Sequence, residues 1–331
     1  MNVLQIAERV RQLGRKAIRR AMPRTDWPLR PVILMYHRID EEPFDPWGLS
    51  VSPVLFERQM EWLATERTVL PLAEFAERHE AGTLPPKAAA VTFDDGYASV
   101  ATAAVPVLER LRLPATIFIP ADVIENRQAF WWDELASLII GFSGTRLSLG
   151  GETFELGSSE AGEWTWRPNA PPKTRRQQLF WRIWAANRTR QIEDTDRLIE
   201  ELRTQSSAKS QGAPVMTPEQ VRSINSPTVK IGSHALTHSS LPSLPSDRKR
   251  REIRLSIGRC EALAGETPAT FAYPFGDYDD EARSIVAECG FACACTTEGR
   301  AVGPRASLSR LPRVGVGNWT PEIFARVLRE L

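Results

Sequence analysis

Residues 88–97 read AAAVTFDDGY, an apolar run that ends in two adjacent carboxylates and a glycine. A short continuous apolar run of this kind is typical of a buried strand. Asp-Gly is also common in turns, so Asp94 and Asp95 could simply belong to the turn that ends the strand. The stretch alone leaves two interpretations open: a structural turn, or a pair of functional carboxylates.

The sequence on both sides of this stretch alternates short β-like runs with amphipathic helical stretches. Strands are predicted within residues 31–39, 88–95, 114–124, 229–235, 269–276, 291–297 and 308–316, and helices within 52–66, 99–111, 246–265 and 278–290. The order β-α-β-α predicts an α/β fold with a parallel sheet covered by helices. Seven candidate strands without a glycine-rich phosphate loop favour a barrel over a dinucleotide-binding sheet.

One segment, from about residue 125 to 215, interrupts this alternation and is rich in tryptophan and polar residues. It contains a helix-like stretch at 130–142, a hairpin-like stretch at 147–157, a helical stretch at 175–203 and a linker-like stretch at 204–214. We predict a barrel domain over residues 31–331 that carries this segment as an insertion. The insertion could form a lid or one wall of a substrate groove.

Residues 1–30 are predicted to form a separate basic segment. The first 24 residues place apolar side chains on one helical face and arginines and lysines on the rest, which suits the surface of an anionic membrane leaflet. An ordinary packing helix with a solvated basic face is the alternative. The segment lacks the uninterrupted apolar core and cleavage site of a secretory signal. We therefore expect a cytoplasmic protein with peripheral contact at the inner membrane face.

The overall composition excludes several classes of protein. The formal net charge is +1 and the apolar content is ordinary, which indicates neither disorder nor nucleic-acid binding. No apolar run is long enough to cross a bilayer. The cysteines lack the paired spacing of zinc ribbons, so we expect small buried thiols in a reducing compartment at Cys260, Cys289, Cys293 and Cys295.

The chain has only four histidines, and two of them, His234 and His238, fall in the segment GSHALTH at a predicted strand end. His37 follows another strand, and the Asp94–Asp95 pair follows a third. In parallel α/β folds, functional groups collect at these strand ends. Two imidazoles and one carboxylate form a ligand set for catalytic zinc, whereas a capping or core role is the alternative. If Asp95 binds the metal, Asp94 is free to accept a proton.

Taken together, TFDDGY and GSHALTH resemble the first two motifs of the polysaccharide deacetylases, the NodB-homology family or carbohydrate esterase family four. The resemblance covers about residues 31–320 apart from the insertion. It implies a distorted (β/α)7 barrel and metal-dependent removal of N- or O-acetyl groups from sugars. It also implies that Asp94 is the catalytic base and that the metal ligands are Asp95, His234 and His238. Zinc is the first expectation, and Co²⁺, Ni²⁺ and Mn²⁺ would suit the same ligands.

The third family motif corresponds to the stretch FAYPFG, residues 271–276. The resemblance implies that the backbone N–H of Phe275 stabilises the oxyanion, and that Tyr273 and Pro274 contact the substrate. The arginine that usually holds the base is replaced by Ala272. We predict that Arg313, on the last strand, takes over that role.

The family's usual C-terminal histidine acid is also missing, because no histidine follows His238. The stretch LMYHRI, residues 34–39, resembles the early Tyr-His motif of the poly-N-acetylglucosamine deacetylase branch, which implies that His37 is the general acid. Aromatic residues are candidates for sugar contacts, with hydrophobic packing as the alternative: Tyr97, Trp131 and Trp132.

These observations predict a metal-dependent carbohydrate N-deacetylase. The expected substrate is an N-acetylated oligo- or polysaccharide, or a lipid-linked glycan at the cytoplasmic membrane face. A deformylase or O-acetyl esterase that uses the same site is the alternative within the enzyme class. A catalytically inactive glycan-binding or scaffold protein is the alternative from another class.

Overall fold

The structure is a computed structural model that describes residues 29–42, 44–126, 129–160, 163–167, 170–205 and 212–331. Most of the predicted basic segment, residues 1–28, lies outside the described residues. Residues 206–211 of the predicted linker also lie outside them. Both predictions stay untested by the fold.

The described chain contains eight strands in one parallel sheet and two in a small antiparallel hairpin. Their bounds in chain order are β1 Val32–Tyr36, β2 Thr68–Val69, β3 Ala88–Phe93, β4 Ala115–Ile119, β5 Arg146–Leu149, β6 Glu152–Glu155, β7 Val229–Ser233, β8 Thr270–Ala272, β9 Cys293–Cys295 and β10 Val314–Gly315.

Helices alternate with these strands and cover the sheet. The α-helices of the described chain are α1 Pro53–Glu66, α2 Leu72–Glu80, α3 Val105–Leu111, α4 Ala121–Asn126, α5 Trp131–Ile139, α6 Arg175–Asn187, α7 Ile192–Gln205, α8 Pro218–Ile224, α9 Ser246–Ala264, α10 Asp280–Glu288 and α11 Pro321–Arg329. A π-helical turn, Val100–Ala104, leads into α3, and 3₁₀ turns cover Glu163–Thr165, Leu241–Ser243, Pro274–Gly276 and Leu308–Arg310.

The sheet follows the order β10-β1-β3-β4-β7-β8-β9, with β2 paired to the start of β3. All pairings along this path are parallel. Every residue of β3 is buried, as expected for a central strand with helices on one side and the barrel interior on the other. The apolar run at 88–93 is therefore the middle of the sheet.

The stretch from Leu311 to Val316 connects the two ends of this strand order. Leu311 forms a parallel bridge to Cys295 of β9, and its amide donates to the Ala294 carbonyl at 2.7 Å. Three residues later, Val314 pairs with Leu34 of β1. The same short segment thus contacts both edge strands, which curls the sheet into a distorted barrel. The predicted α/β barrel is confirmed.

Each of the seven predicted strands and four predicted helices has a counterpart among these elements. The helical stretch predicted at 175–203 is divided into α6 and α7, because the Arg190 amide turns back to the Asn187 carbonyl three residues earlier. Helices α2, α4, α8 and α11 and strand β2 were not predicted. The strand predicted at 114–124 ends at Ile119, and its last residues belong to α4. Helix α8 begins with a capping box formed by Thr217 and Gln220.

The residues between β4 and β7 leave the barrel sheet, although these two strands are hydrogen-bonded neighbours. They form α4 to α8 and the hairpin of β5 and β6. Arg176, fully buried, holds this part together by donating to the carbonyls of Phe142 at 2.6 Å and Gly144 at 2.8 Å. The predicted limits of the insertion and of the barrel domain stay a prediction.

Small and apolar side chains fill the interior of the barrel. One buried cluster joins inward-facing residues of five strands with Leu311: Ile33, Ala88, Ala90, Phe118, Ala272, Cys293 and Cys295. Cys260, Cys293 and Cys295 are buried, Cys289 is half-buried, and all four are free thiols. Within the described part of the chain, no helix combines the length and apolar character needed to span a membrane.

Candidate active site

Parallel strand register brings the predicted site residues together at one end of the barrel. Tyr36 pairs with Phe93, and the next amide along β3, that of Asp94, donates to the Tyr36 carbonyl at 2.9 Å. His37 and Asp94 therefore follow neighbouring strands at the same level. On the far side of β4, the His234 amide donates to the Ile119 carbonyl at 2.9 Å.

The backbone at this end of the barrel is strained at several functional positions. Asp95, His238 and Phe275 have left-handed φ values of 72°, 62° and 57°. Such values are uncommon for residues other than glycine and cluster at functional sites. Gly96 has φ +67°, and a Cβ there would lie 3.0 Å from the side chain of Ile119. A glycine is therefore needed directly after the two aspartates.

Asp95, His234 and His238 form a buried cluster with one ligand atom from each residue, all within 4.8 Å of one another. Asp95 Oδ1 lies 3.1 Å from His238 Nε2 and 3.6 Å from His234 Nε2. Asp95 Oδ1 nevertheless has no hydrogen-bond partner among the described residues. An unsatisfied buried carboxylate oxygen that faces two imidazole nitrogens is the arrangement expected of ligands that share a cation.

His234 is held in the tautomer that a metal ligand requires. Its Nδ1–H donates to the Ala272 carbonyl at 2.7 Å, which leaves the Nε2 lone pair free on the side of Asp95. Burial lowers the pKa of His234 to about 4, although Asp94 opposes the shift. The imidazole is therefore neutral at pH 7 and can coordinate a cation.

Asp95 is ionised at neutral pH. Burial opposes ionisation, but the neighbouring His238 imidazole outweighs it and holds the pKa of Asp95 well below its usual range. Two imidazoles and one carboxylate match the donor set of open, catalytic zinc sites. The residues present therefore fit a divalent metal ion.

Asp94 is engaged by an arginine rather than by the metal cluster. Arg313 donates two parallel hydrogen bonds to it, Nη1 to Oδ1 at 2.6 Å and Nη2 to Oδ2 at 2.7 Å. Arg313 is 0% exposed and also donates to Thr92 Oγ1 and to the Thr296 carbonyl. Burial opposes ionisation of Asp94, yet the Arg313 guanidinium more than compensates, so the pKa of Asp94 is lowered.

The position of the missing family arginine is also explained by the structure. Ala272 is fully buried in the barrel-interior cluster. Arg313 enters this interior from the opposite edge of the sheet, where its guanidinium lies 5.4 Å from the centre of the Phe118 ring. The contact between an arginine and Asp94 is therefore made from a different strand than the family motif implies.

His37 and Phe275 complete the predicted catalytic set. His37 is half-buried directly after β1. It contributes to lowering the pKa of Asp94 and of Asp95, after the larger effects of burial and of Arg313 or His238. Phe275 is half-buried, follows the buried Pro274, and its ring centre lies 4.5 Å from that of His238.

The four aromatic residues predicted to contact sugars are all buried. The Tyr97 hydroxyl donates to Asp133 Oδ2 at 2.9 Å and accepts from Trp132 Nε1 at 3.1 Å, while the Trp132 ring lies 4.9 Å from His238. Trp131 packs edge-on against Trp132, and the Tyr273 hydroxyl donates to the Ser309 carbonyl. The predicted sugar contacts of these four side chains stay a prediction.

Two arginines beside the site form ion pairs that were not predicted. Arg38, buried next to His37, contacts Asp133 and Asp45, each at 3.2 Å. Arg188 donates to both carboxylate oxygens of Asp277, at 2.8 and 2.6 Å. Arg38 could have been predicted to lie beside the site, because it directly follows His37 in the sequence. No local signal marked Arg188, which lies 89 residues from its partner.

Comparison with known proteins agrees with this geometry. The sequence matches the family described as "Polysaccharide deacetylase" over residues 81–139 and 184–294, which include the candidate ligands Asp95, His234 and His238 as well as Asp94 and Phe275. It is 33% identical over 117 residues to the poly-beta-1,6-N-acetyl-D-glucosamine N-deacetylase of Escherichia coli K12, an alignment that covers 33% of this chain but only 17% of the relative.

Solved structures share the fold at low sequence identity. A Streptococcus pyogenes deacetylase, PplD in complex with acetate, superposes with a TM-score of 0.59 at 18% identity and covers 91% of this chain and 99% of its own. IcaB from Ammonifex degensii gives 0.54 at 19% identity, over 90% of this chain and 95% of its own. The family match extends over just more than half of the sequence, and the chain belongs to the polysaccharide deacetylase family.

Proposed function

We propose that this chain is a metal-dependent N-deacetylase that removes acetyl groups from the amino sugars of an N-acetylglucosamine polymer or a lipid-linked glycan. The observation that carries the proposal is the division of two adjacent aspartates between two partners. Asp95 faces the imidazoles of His234 and His238, whereas Asp94 is paired with Arg313. Such a division separates a metal ligand from a general base.

A divalent ion, zinc as the first candidate, would be held by Asp95, His234 and His238. When bound, it would supply Lewis-acid chemistry, which polarises an acyl carbonyl and lowers the pKa of water. That assistance suits the weak basicity of Asp94, whose pKa is lowered. Co²⁺, Ni²⁺ and Mn²⁺ would be accepted by the same donor atoms.

The protein's own residues then divide the proton transfers. Asp94 accepts a proton from the water that attacks the acetamide carbon, and the two hydrogen bonds from Arg313 keep its carboxylate in position. The Phe275 amide donates to the carbonyl oxygen as that oxygen gains negative charge. His37 gives a proton to the nitrogen as the C–N bond breaks. The products are acetate and a free amino sugar.

Two observations support the choice of substrate. The curated relative in Escherichia coli is named as a deacetylase of poly-beta-1,6-N-acetyl-D-glucosamine, although it is aligned over only 17% of its length. The basic amphipathic pattern of the first 24 residues suits an anionic membrane surface, which supports a cytoplasmic protein that meets a glycan at the inner membrane face.

Acetate release tests the proposal. Wild-type protein loaded with zinc is incubated with β-1,6-linked N-acetylglucosamine oligomers, and the same assay is run with chelator, with Asp94→Asn and with His37→Gln. We expect no release with chelator or with Asp94→Asn, and a loss of about 10²- to 10⁴-fold with His37→Gln. His79→Gln is the matched control, because His79 lies on α2 and bonds to the Ala306 carbonyl, away from the site.

Each alternative has its own result. Release that survives both chelator and Asp94→Asn would refute the metal-dependent mechanism. Release of formate from N-formyl sugars, or of acetate only from O-acetyl sugars, would identify a deformylase or an esterase. A protein that binds zinc and the oligomers but releases no acyl group from any of them would be a glycan-binding protein. Full activity in His37→Gln would refute only the role of His37 as general acid and leave the rest of the mechanism in place.

A further inference from the structure

Three tryptophans form a near-parallel group outside the barrel. The rings of Trp47 and Trp184 lie 4.1 Å apart at an angle of 31°. Trp181 lies 5.7 Å from both rings, at 11° to Trp184 and 34° to Trp47. We call this group the tryptophan rim. Trp47 belongs to the loop after β1, and the other two belong to α6.

The rim differs from the aromatic residues behind the metal cluster in its exposure. Trp47 and Trp181 are half-buried, and Trp184 is nearly completely buried beneath them. Trp131 and Trp132, by contrast, are buried, and the Trp132 indole N–H already has a partner. Among the tryptophans that the structure describes, those of the rim are therefore both mutually aligned and partly open to solvent.

Helix α6 and the Arg188 side chain that follows it connect the rim to the active site. Trp184 contacts Trp47, and Arg188, four residues later, lies on the same face of the helix end. The Arg188 guanidinium lies 5.3 Å from the centre of the Phe275 ring, and that ring lies 4.5 Å from His238. One turn of helix corresponds to about 5 Å along the axis. The rim thus borders the wall that contains the proposed oxyanion donor.

The ion pair of Arg188 holds its guanidinium in place beside the Phe275 ring. Its side chain is 9% exposed and donates to both oxygens of Asp277. The Ser240 hydroxyl donates to Asp277 Oδ2 at 3.0 Å, which ties the pair to the loop that contains His238. A paired, nearly buried arginine of this kind holds one geometry better than a solvated one does.

The other half of the rim is anchored beside His37. Asp45, two residues before Trp47, contacts the guanidinium of Arg38 and accepts the Leu49 amide at 2.9 Å. Arg38 directly follows His37. The loop that contains Trp47 is therefore fixed to the strand end that provides the proposed general acid, and the rim spans from that side of the site to the Phe275 side.

We propose that the tryptophan rim is a sugar-binding subsite for a pyranose beyond the one adjacent to the residue whose acetamide occupies the active site, in the same N-acetylated glycan. The C–H face of an equatorially substituted pyranose is apolar and flat, so it stacks on an indole, while the hydroxyls stay in water. Rings held in near-parallel planes can hold such a face without any charged partner. This inference rests on the proposed function and adds chain-length preference to it.

The test compares oligomer lengths. The ratio of kcat/KM for an N-acetylglucosamine pentamer to kcat/KM for the dimer is measured for the wild type, Trp47→Ala, Trp181→Ala and Trp181→Tyr. We expect about a tenfold fall in the ratio for each alanine variant, and recovery with tyrosine, which restores a ring. Trp164→Ala is the control, because Trp164 is a 38% exposed tryptophan of the same insertion that contacts Phe44 rather than the rim.

Calorimetry measures the binding of the pentamer to the zinc-loaded protein directly, and this measurement separates the inference from the proposed function. Pentamer binding that weakens about tenfold in Trp181→Ala supports the subsite even if no acetate is released. An unchanged ratio and unchanged binding in folded Trp47→Ala and Trp181→Ala would overturn it. So would an equal loss for dimer and pentamer, since that result indicates general damage to the site.

Discussion

Replacement of Arg313 by methionine should destabilise the protein strongly, because it leaves the charge of Asp94 buried without a partner. Asp94 is 2% exposed and Arg313 0% exposed, and the two share two hydrogen bonds of 2.6 and 2.7 Å. Removal of one member of such a buried pair typically costs 3–5 kcal/mol. We expect Arg313→Met to lower the free energy of unfolding at pH 7 by about 3–5 kcal/mol.

The pH dependence of this loss has a definite sign. In the wild type the pKa of Asp94 is lowered, so the pair contributes stability that is present above the unfolded pKa of about 3.9 and is lost as the pH falls through the folded pKa. Without Arg313, burial dominates and raises the pKa of Asp94. The difference between wild type and Arg313→Met should therefore be largest at neutral pH and shrink as the pH falls toward 4.

Urea unfolding of the metal-free proteins at pH 7 and pH 4.5 measures both effects. The double variant Asp94→Asn/Arg313→Met should recover part of the loss at pH 7, because it removes the unpaired charge. Arg310→Met is the matched control, since Arg310 is an exposed arginine three residues earlier in the chain. A loss below about 1 kcal/mol at pH 7, the size expected of a surface pair, would refute the argument.

Three further predictions concern the same region. In the metal-free protein the pKa of His234 is about 4, so between pH 4 and 6.5 the unfolded chain binds more protons than the folded one. The free energy of unfolding should therefore rise by up to ~3 kcal/mol between these two pH values. In His234→Gln, urea unfolding should show a free energy that changes less with pH. Gly96→Ala should cost ~1–2 kcal/mol, because φ is +67° and the new Cβ would meet Ile119; an unchanged unfolding midpoint would contradict this. Asp277→Asn should weaken the ion pair with Arg188 and lower kcat/KM for deacetylation about tenfold. Arg188→Ala should lower kcat/KM by a similar factor.

Much of the active site was predictable because parallel strands bring sequence-distant residues to one edge. The apolar run before Asp94 and the strand before His234 each identify a strand end, and the sheet order places both within reach of β1. Strand ends and residue chemistry indicate two imidazoles and a carboxylate as candidate ligands, and the resemblance to the polysaccharide deacetylases implies that the set is Asp95, His234 and His238. The geometry of these residues needed the structure, because left-handed φ values at Asp95 and His238 leave no mark in the sequence.

Aromatic residues were harder to place, because sequence does not tell which face of an apolar helix is open. The helix that contains Trp131 and Trp132 also contains two carboxylates in its first turn, and in the fold both tryptophan side chains are buried, with the Trp132 ring 4.9 Å from that of His238. Trp47 and Trp181 are far apart in sequence and meet only because α6 leaves the sheet and returns over the loop after β1. Their alignment depends on tertiary contacts that no local pattern encodes.

The partner of Asp94 shows how the barrel's closure determines the chemistry. The family motif supplies an arginine at the position of Ala272, on β8. Here the guanidinium comes from Arg313, which lies in the short segment that contacts β9 through Leu311 and β1 through Val314. A small residue at 272 leaves interior space, and the segment that closes the barrel fills it with the charge that Asp94 needs. If the site requires only a cation at this point of the barrel interior, an arginine on β8 should be able to replace Arg313. Exchange of the two positions tests this directly: Ala272→Arg combined with Arg313→Ala should recover part of the stability and acetate release that Arg313→Ala loses, whereas no recovery in a folded double variant would show that the cation must come from position 313.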